Sequence, residues 1–311
     1  MTENNVNIYK RYMQKTKKLK KINCHPSTKN KTISKTSCLN VQTLNKLKDS
    51  FNQKYPENKI KAKDKKGIFN ELKNKIKDCK REDCWLDVLK DKKEKKEIKN
   101  KLYAPEQPEE WKDDPSSWLS NYDILDVLSQ YEETYSNFKF IGPTPIDFDS
   151  KPNFFDEKCV WKELCNFKLQ NYIKKGINKI GVVFNLDEHD EPGSHWTSLF
   201  IDLENKIIFY FDSAGDKIPN EVDKLVKRII HQGLYLSTPI QLEFHENHPF
   251  THQKGHNECG MYSLYFIITM LTNKDGNEKL LKSVEEKLVY FKNKRIPDKY
   301  VFQKRDVYFN K

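Results

Sequence analysis

The chain has 311 residues, of which 36% are hydrophobic and 32% are charged, a composition typical of a soluble globular protein that excludes a chain disordered throughout. The longest apolar run, Met261 to Leu271, is about half of the ~20 residues that a membrane-spanning helix needs. The N-terminus lacks the apolar core of a secretory signal peptide. The sequence therefore predicts a soluble, intracellular protein with no membrane partner.

The net charge of +11 is unevenly distributed. Residues 1–40 hold ten Lys and Arg and a single acid, Glu3, and so carry +9 of that charge. They have too few large apolar side chains to offset the entropy of ordering, so residues 1–40 are predicted to form a disordered basic tail. Such a tail is either a solvated arm or, alternatively, one that makes weak contact with nucleic acid.

The seven cysteines are an odd number without regular spacing. Because the chain also lacks a secretory segment, a disulfide framework is not expected and the thiols are predicted to be reduced. Cys79 and Cys84 flank the sequence KRED, but four intervening residues and no second pair make a metal site there a weak alternative to two incidental thiols.

Residues 41–103 are rich in lysine and carry apolar residues at helical intervals, such as Ile68, Leu72 and Ile76. The pattern predicts short amphipathic helices that form a small N-terminal arm. The stretch 104–117 carries three prolines and many acids and is typical of a linker. A domain boundary near residue 104 follows, with a second domain at 104–311.

The second domain begins with a helix and continues into strands. Ser120 or Asn121 can cap a helix whose apolar face includes Ile124 and Leu128. Residues 157–175 have a helical rhythm, and the run from Ile180 to Leu186 is strand-like. The segments SHWTSLFIDL and KIIFYFDS follow as two more strand-like runs, and residues 276–311 are expected to contain a helix that packs on the core.

The last two runs predict a hairpin, because only Glu204 and Asn205 separate them. If the turn pairs Leu203 with Lys206, His195 and Asp212 become diagonal neighbours at the open end of the hairpin. A carboxylate in that position can fix the tautomer of an imidazole and stabilise its charged form. The alternative is that the two residues merely end two strands.

A cysteine lies at the start of the most apolar segment. Gly260 to Leu271 has the length and apolar content of a buried helix and no proline, so Cys259 is predicted at or just before its first turn. Unpaired backbone N–H groups and the helix dipole favour the thiolate there. With His195 and Asp212, Cys259 completes the set of nucleophile, base and orienting acid that acyl transfer requires. A small buried cysteine in a core helix is the alternative.

Acyl transfer also needs hydrogen-bond donors for the developing oxyanion. Gln253 lies six residues before Cys259, in a loop that Gly255 makes adaptable. Its side-chain amide and the backbone N–H of Cys259 are predicted to form the oxyanion hole. A solvent-facing loop glutamine is the alternative.

The ordered set of His195–Trp196, Asp212 in FYFDS, and Gln253 with Cys259–Gly260 resembles the cysteine proteases that mature ubiquitin-like modifiers such as SUMO, and the adenovirus protease. The segment WLSNYDI at Trp118 is similar to the stretch that opens the catalytic domain of SUMO proteases. The resemblance covers residues 116–275. It is closer to the maturation proteases of large cytoplasmic DNA viruses, including African swine fever virus, poxviruses and mimivirus relatives, because Glu258 and Asn121 stand where SUMO proteases usually or often have aspartate.

The resemblance implies an α+β, papain-like core with a mixed sheet and a central helix that starts at Cys259. It implies a protein substrate, no cofactor and no metal, and cleavage of viral core or structural polyproteins after Gly-Gly-x or Ala-Gly-x during virion maturation, in the host cytoplasm and the virion. Cys259 would attack the peptide carbonyl, His195 would protonate the leaving amine, and Asp212 would orient His195. Trp196 and Trp118 would wall a narrow substrate channel; two core tryptophans are the alternative.

Three other functions compete with this hypothesis. A zinc site is one, because four histidines and a cysteine crowd fifteen residues, although Pro249 and Gly255 interrupt any helix that would align them (His245, His248, His252, His256 and Cys259). A protease that deconjugates SUMO or ubiquitin-like proteins, with a ubiquitin-like fusion as substrate, is the second. A non-catalytic module that binds a ubiquitin-like protein or a virion component is the third. The oligomeric state is not predicted.

Overall fold

The computed structural model describes residues 19–28, 32–34, 37–152, 158–275 and 280–311. The chain divides into two compact units, Met1–Ala104 and Pro105–Lys311. The division falls where the proline-rich stretch begins. This stretch is not a loose linker, because Trp111 is buried and its ring packs edge-on against Phe309, with 5.1 Å between the ring centroids.

The first unit is built from helices. Helix α1 is Val41–Lys54, α2 is Lys65–Lys75 and α3 is Lys92–Leu102. Each begins at a polar side chain that accepts hydrogen bonds from the first turn, and these caps are Asn40, Asp64 and Asp91. Three short 3-10 helices lie between or before them, at Pro26–Thr28, Pro56–Asn58 and Glu82–Val88.

The prediction of a disordered tail at residues 1–40 is wrong for the part that the structure describes; residues 1–18 lie outside the described residues. Ile22, Cys38 and Leu39 are buried in the core of the first unit. The backbone N–H of His25 donates to Leu102 O over 2.9 Å, which joins this segment to the end of α3. Few apolar residues are enough to order this segment, because they pack into a core that helices α1 to α3 also form.

The prediction of reduced thiols is wrong for six of the seven cysteines, which are paired as Cys24–Cys38, Cys79–Cys84 and Cys159–Cys165. The two partners of each pair are 14 residues apart or fewer, and their Cα atoms lie 5.2 to 6.3 Å apart, a separation that a disulfide spans. Local turns bring these thiols together, and a count of cysteines does not encode such turns. Cys259 is free and buried.

The two units differ in charge. Residues 1–104 hold 30 Lys and Arg and 12 Asp and Glu, whereas residues 105–311 hold 26 and 33. The first unit is therefore +18 and the second −7. The basic character is a property of the whole first unit, half of it beyond residue 40, and the second unit is acidic.

The second unit is built on a five-stranded mixed sheet with the strands in chain order. Strand β1 is Phe138–Pro145, β2 is Lys179–Asn185, β3 is Trp196–Asp202, β4 is Ile207–Phe211 and β5 is Glu243–Glu246. The outer pairs, β1 with β2 and β4 with β5, are parallel, and the central pairs are antiparallel.

Helices cover both faces of this sheet. Alternate side chains of β4 point to opposite sides, so that Phe209 and Phe211 join one core cluster, while Ile208 and Tyr210 join the other. Helix α8, Cys259–Thr272, fills the first cluster together with α4, Asn121–Thr134. Helix α7, Asn220–Leu234, packs in the second.

The remaining helices are short. They are α5 Lys162–Cys165, α6 Leu169–Lys174, α9 Val284–Asn293, α10 Asp298–Phe302, α11 Arg305–Tyr308 and the 3-10 helix Glu109–Lys112. The last three α-helices contribute Phe291, Val301 and Tyr308 to the cluster around α8, so the expected packing of residues 276–311 on the core is confirmed where the structure describes them.

Helix α8 is apolar around its whole circumference, and every residue from Cys259 to Leu271 is buried. Within the described ranges, no helix combines the length and the apolar character that crossing a membrane would require. The α+β core with a mixed sheet and a central helix that begins at Cys259 is as predicted.

Candidate active site

The hairpin has the predicted register. Asp202 pairs with Ile207 and Ser198 with Phe211, which is the alignment expected from a turn that joins Leu203 to Lys206. His195 therefore immediately precedes β3 and Asp212 immediately follows β4, at the same end of two neighbouring strands. The tight turn at the far end of the hairpin fixes the pairing register, and this register places the two side chains next to each other.

His195 and Asp212 are hydrogen-bonded through their side chains. The distance from His195 Nε2 to Asp212 Oδ1 is 2.7 Å. The side chain of Asp212 is fully buried, whereas that of His195 is 21% exposed, so the acid lies beneath the ring and the ring borders solvent. With Nε2 engaged by the carboxylate, Nδ1 is the nitrogen that remains for a reacting group.

Asp212 is held by its surroundings in three ways. The backbone N–H of Ala214 donates to Asp212 Oδ1 over 2.8 Å. The side chain of Asn247 accepts from the backbone N–H of Asp212 over 2.9 Å and donates to its carbonyl oxygen over 2.7 Å. Asn247 follows directly after β5, so the neighbouring parallel strand fixes the backbone that carries the acid.

Cys259 is the first residue of α8, and it is 1% exposed. Gly260 lets this helix end come close to its neighbours: a Cβ built on it would lie 3.1 Å from Leu119 Cβ and 3.2 Å from Trp196 Cδ1. A side chain at residue 260 would therefore require Leu119 and Trp196 to shift by a few tenths of an ångström.

The pKa of His195 reflects its interactions with Asp212 and Cys259. Burial lowers its pKa, but hydrogen bonds to the side chains of Asp212 and Cys259 outweigh burial and raise the pKa to about 10. The ring thus interacts with the acid on one side and with the thiol on the other. Both partners favour the imidazolium.

Gln253 lies in the same assembly, but it is anchored by a residue that was not predicted. Ser213 Oγ donates to Gln253 Oε1 over 2.8 Å, and the backbone N–H groups of His252 and Gln253 both donate to Ser213 O. The amide nitrogen of Gln253 donates to Gly255 O over 2.9 Å, which uses one of its two hydrogens. The other hydrogen is available for a ligand.

The two tryptophans differ in solvent exposure. Trp196 is 8% exposed and its Nε1–H donates to Leu119 O over 3.1 Å. Trp118 is 44% exposed and its Nε1–H donates to Asn257 Oδ1 over 3.1 Å. Trp118 therefore presents a large apolar surface beside the N-terminal end of α8.

A cleft of about 900 Å³ runs past both tryptophans. Neither Cys259 nor His195 is among its lining residues, but Trp196, the residue after His195, is. Its walls also include a polar helix start and an acidic loop, contributed by Ser120, Asn121, Asp123, Glu188 and Glu191. The cleft therefore borders the segment next to His195, while Cys259 lies buried outside its lining.

The crowded histidines have other partners. His252 is fully buried; its Nε2 donates to Phe291 O over 2.7 Å, and its Nδ1 accepts from Ile296 N over 3.2 Å. His248 Nδ1 lies 2.8 Å from Gly215 O. Within the described ranges of the chain, no three His, Cys, Asp or Glu side chains form a group that could hold a metal ion.

Ser213 and Asn247 were missed from the sequence. A serine after an aspartate carries no signal by itself, since its role depends on where residues 252–253 pass. The position of Asn247 follows from strand pairing: β5 pairs in parallel with β4 through Tyr210 and Glu246, so Asn247 lies level with Phe211, one residue before Asp212.

Comparison with known proteins identifies two matching families. Residues 168–305 match the Ulp1 protease family, C-terminal catalytic domain. Residues 84–232 match the family of the Vaccinia virus I7 processing peptidase. Together the matches cover the hairpin, the acid and Cys259.

Two viral relatives are similar in sequence. A putative thiol protease of Acanthamoeba polyphaga mimivirus is 32% identical over 195 residues, which are 60% of this chain and 59% of the relative. A cysteine protease of African swine fever virus is 31% identical over 161 residues, 50% of this chain and 58% of the relative. The matches thus span less than two thirds of either relative.

A solved structure shares the fold. The crystal structure of an African swine fever virus protease superposes with a TM-score of 0.60 over 93% of this chain and 95% of that one, at 19% identity. At this identity, the likeness supports the fold.

Proposed function

On the premise that this chain contains an Ulp1-like peptidase domain, we propose that it is a viral cysteine endopeptidase that cleaves core or structural polyproteins after Gly-Gly-x or Ala-Gly-x during virion maturation. The observation that carries the proposal is the position of His195, between a fully buried aspartate and a thiol at the start of the central helix. A buried core cysteine would need neither partner.

The chemical roles follow from the geometry. Cys259 Sγ, as a thiolate paired with the His195 imidazolium, attacks the carbonyl carbon of the scissile peptide. The C–N bond breaks as His195 passes its proton to the departing amine, which leaves a thioester on Cys259. Water then attacks the thioester while His195 takes up a proton, and the thiolate and the new carboxyl group are released.

Asp212 keeps His195 in orientation and stabilises its charged form throughout this cycle. The free hydrogen of the Gln253 amide and the backbone N–H of Cys259 stabilise the oxyanion of each tetrahedral intermediate. Ser213 and the carbonyl group of Gly255 hold the amide of Gln253 at its oxygen and its nitrogen, so the donor is fixed before the substrate arrives.

Trp118 and Trp196 restrict the residues beside the scissile bond to small ones. One tryptophan borders solvent and the other is packed, so the peptide passes over an apolar surface where a large side chain would collide. This supports glycine next to the cleaved bond. We place the protein in the host cytoplasm and the virion, where such polyproteins are processed.

A deconjugating protease for SUMO or ubiquitin-like proteins is the second candidate, because a cleft lined by two tryptophans also suits a Gly-Gly terminus. The test is comparative. The purified protein is incubated with candidate viral polyproteins, with peptides that contain an internal Gly-Gly-x site and with ubiquitin-like fusions, and the new N-termini are sequenced.

The proposal predicts cleavage of the polyprotein and the internal-site peptides by wild type but not by Cys259→Ala. Preferential release of the ubiquitin-like protein would favour the deconjugase. Tight binding of either substrate without cleavage would favour a binding module.

Weak contact of the basic N-terminal residues with nucleic acid also stays a proposal, tested by the salt dependence of DNA binding.

A further inference from the structure

Arg305, in α11, is a buried charged side chain that the mechanism above does not use. It is 4% exposed. Its Nη2 donates to Glu258 Oε1 over 2.9 Å and its Nε donates to Glu258 Oε2 over 3.3 Å. Glu258 is the residue before Cys259 and the N-cap of α8, so a residue of the C-terminal segment is bound to the start of the catalytic helix.

The third nitrogen of the same guanidinium reaches a different part of the unit. Arg305 Nη1 donates to Pro115 O over 2.8 Å and to Ser117 O over 3.1 Å. These two carbonyl groups lie just before Trp118, in the segment that leads into the wall of the cleft. The Trp111 ring, 4.1 Å from the Arg305 guanidinium carbon, closes one side of the site.

The arrangement suits arginine and no other side chain. A planar fork of donors is needed to bind a carboxylate at two oxygens and two carbonyl groups at the same time. Lysine carries the charge but cannot bridge these acceptors in one plane. Burial of an ion pair costs several kcal/mol of desolvation unless the geometry is good, and here each of the three guanidinium nitrogens has an acceptor.

Other contacts join the same two segments. Asn257 accepts from Trp118 Nε1 over 3.1 Å and donates to Ser116 Oγ over 3.4 Å. Leu119 packs closely against Gly260, where an added Cβ would lie 3.1 Å from Leu119 Cβ. The residues before and after Cys259 therefore contact the segment 115–119. Among the residues that make these contacts, Arg305 is the one that belongs to a third segment.

We propose that Arg305 is a positioning residue: through Glu258 and the carbonyl groups of Pro115 and Ser117, it sets the distance between the nucleophile and the cleft wall that carries Trp118. This inference rests on the proposed function, because it assigns Arg305 to the same reaction. Loss of the guanidinium lets the two segments separate, which misplaces the scissile carbonyl relative to Cys259.

The first test uses Arg305→Met and Arg305→Lys, with Arg228→Met as the matched control. Arg228 also joins a carboxylate and two backbone carbonyl groups within the second unit, those of Asp149, Cys165 and Leu164, but it lies on α7 and outside the site. Active thiol is titrated in each protein with a Gly-Gly vinyl sulfone, and kcat and KM are measured per titrated site.

Both Arg305 variants should lose tenfold or more in kcat/KM per titrated site, whereas Arg228→Met should stay within twofold of wild type. A merely structural Arg305 would lower the number of titratable sites and leave the rate per site unchanged. That outcome would overturn the proposal. Arg305→Lys decides the matter where Arg305→Met fails to fold.

The second test measures whether Arg305 acts through Glu258. Glu258→Gln, Arg305→Met and the double variant are compared by the same kinetics. Residues that act as one unit give a double variant no worse than the more damaged single variant. Losses that multiply would refute action through Glu258. If the wild-type protein neither reacts with the vinyl sulfone nor cleaves peptide, the proposed function is wrong as well. If wild type and the Arg305 variants are equally active, only the role proposed for Arg305 is refuted.

Discussion

His195 Nε2 lies 2.7 Å from Oδ1 of a fully buried Asp212, and the backbone of that acid is fixed by Asn247 on both its N–H and its C=O. The backbone that carries the acid is therefore held in place, and burial keeps the carboxylate away from bulk water. The orientation of His195 is thus a property of the folded sheet.

Replacement of this acid should change the pH dependence of the reaction. Burial lowers the pKa of His195, but hydrogen bonds to Asp212 and Cys259 raise it to about 10. Asp212→Asn removes the carboxylate, so the pKa of His195 falls and the alkaline limb of kcat/KM moves to lower pH. The rate at neutral pH should fall tenfold or more, since the imidazolium is less stable, yet remain above that of Cys259→Ala. The measurement is kcat/KM between pH 5 and 10; an unmoved alkaline limb would contradict the assignment.

The oxyanion donor should depend on its anchor. Gln253→Ala should lower kcat by about 10² to 10³, the usual loss when one donor is removed, with little change in KM. Ser213→Ala should cost about tenfold, because the amide stays but is no longer held. Gln232 is the control: its side chain also bonds backbone groups, of Leu169 and Phe167, on the other face of the sheet. Equal losses in Gln232→Ala and Gln253→Ala would show that the effect is structural.

The exposed tryptophan should govern substrate binding. Trp118→Ala removes an apolar surface from the cleft and should raise KM about tenfold for Gly-Gly peptides, with a smaller change in kcat, because burial of an aromatic surface contributes on the order of 1–3 kcal/mol. Trp118→Phe keeps an aromatic ring but loses the hydrogen bond to Asn257, so its KM should lie between those of wild type and Trp118→Ala. Steady-state kinetics check this, and a wild-type KM in Trp118→Ala would refute the channel role.

The first unit should lose stability as the pH rises. Burial is the largest influence on Glu82 and, against several hydrogen bonds, raises its pKa to about 7. The folded state therefore binds this proton more tightly than the unfolded state does. The stabilisation is fully present below about pH 4.5, the usual value for glutamate, and is lost as the pH rises through 7; it amounts to about 3 kcal/mol.

Glu82→Gln should flatten the decline in the free energy of unfolding between pH 5 and 8, and the exposed Glu57→Gln should leave it unchanged. Chemical denaturation at a series of pH values measures both. Parallel curves for wild type and Glu82→Gln would contradict the prediction.

Much of the site could be predicted because its signals are local. Two polar residues between apolar runs define the turn, and the turn defines which residues of β3 and β4 are neighbours. An apolar stretch without proline defines the helix that starts at Cys259. These patterns need only neighbouring residues and the periods of strand and helix.

The rest depends on contacts between distant segments. Arg305 lies 46 residues after Cys259, and two of its acceptors are backbone carbonyl groups, which have no sequence signature. The packing of the described residues between 19 and 40 depends likewise on a core that other helices create. Composition alone assigned these residues to a tail, because it does not distinguish an apolar residue in solvent from one that meets a partner far along the chain.

The central claim is that Cys259 is a nucleophile activated by His195, and covalent labelling tests it most directly. Wild type, Cys259→Ala and His195→Ala are treated with a Gly-Gly vinyl sulfone at neutral pH, and the adducts are located by peptide mass mapping. We predict one adduct per chain on Cys259 in wild type, none in Cys259→Ala and at least a hundredfold slower labelling in His195→Ala. No adduct on Cys259, or cleavage by Cys259→Ala at the wild-type rate, would contradict the account.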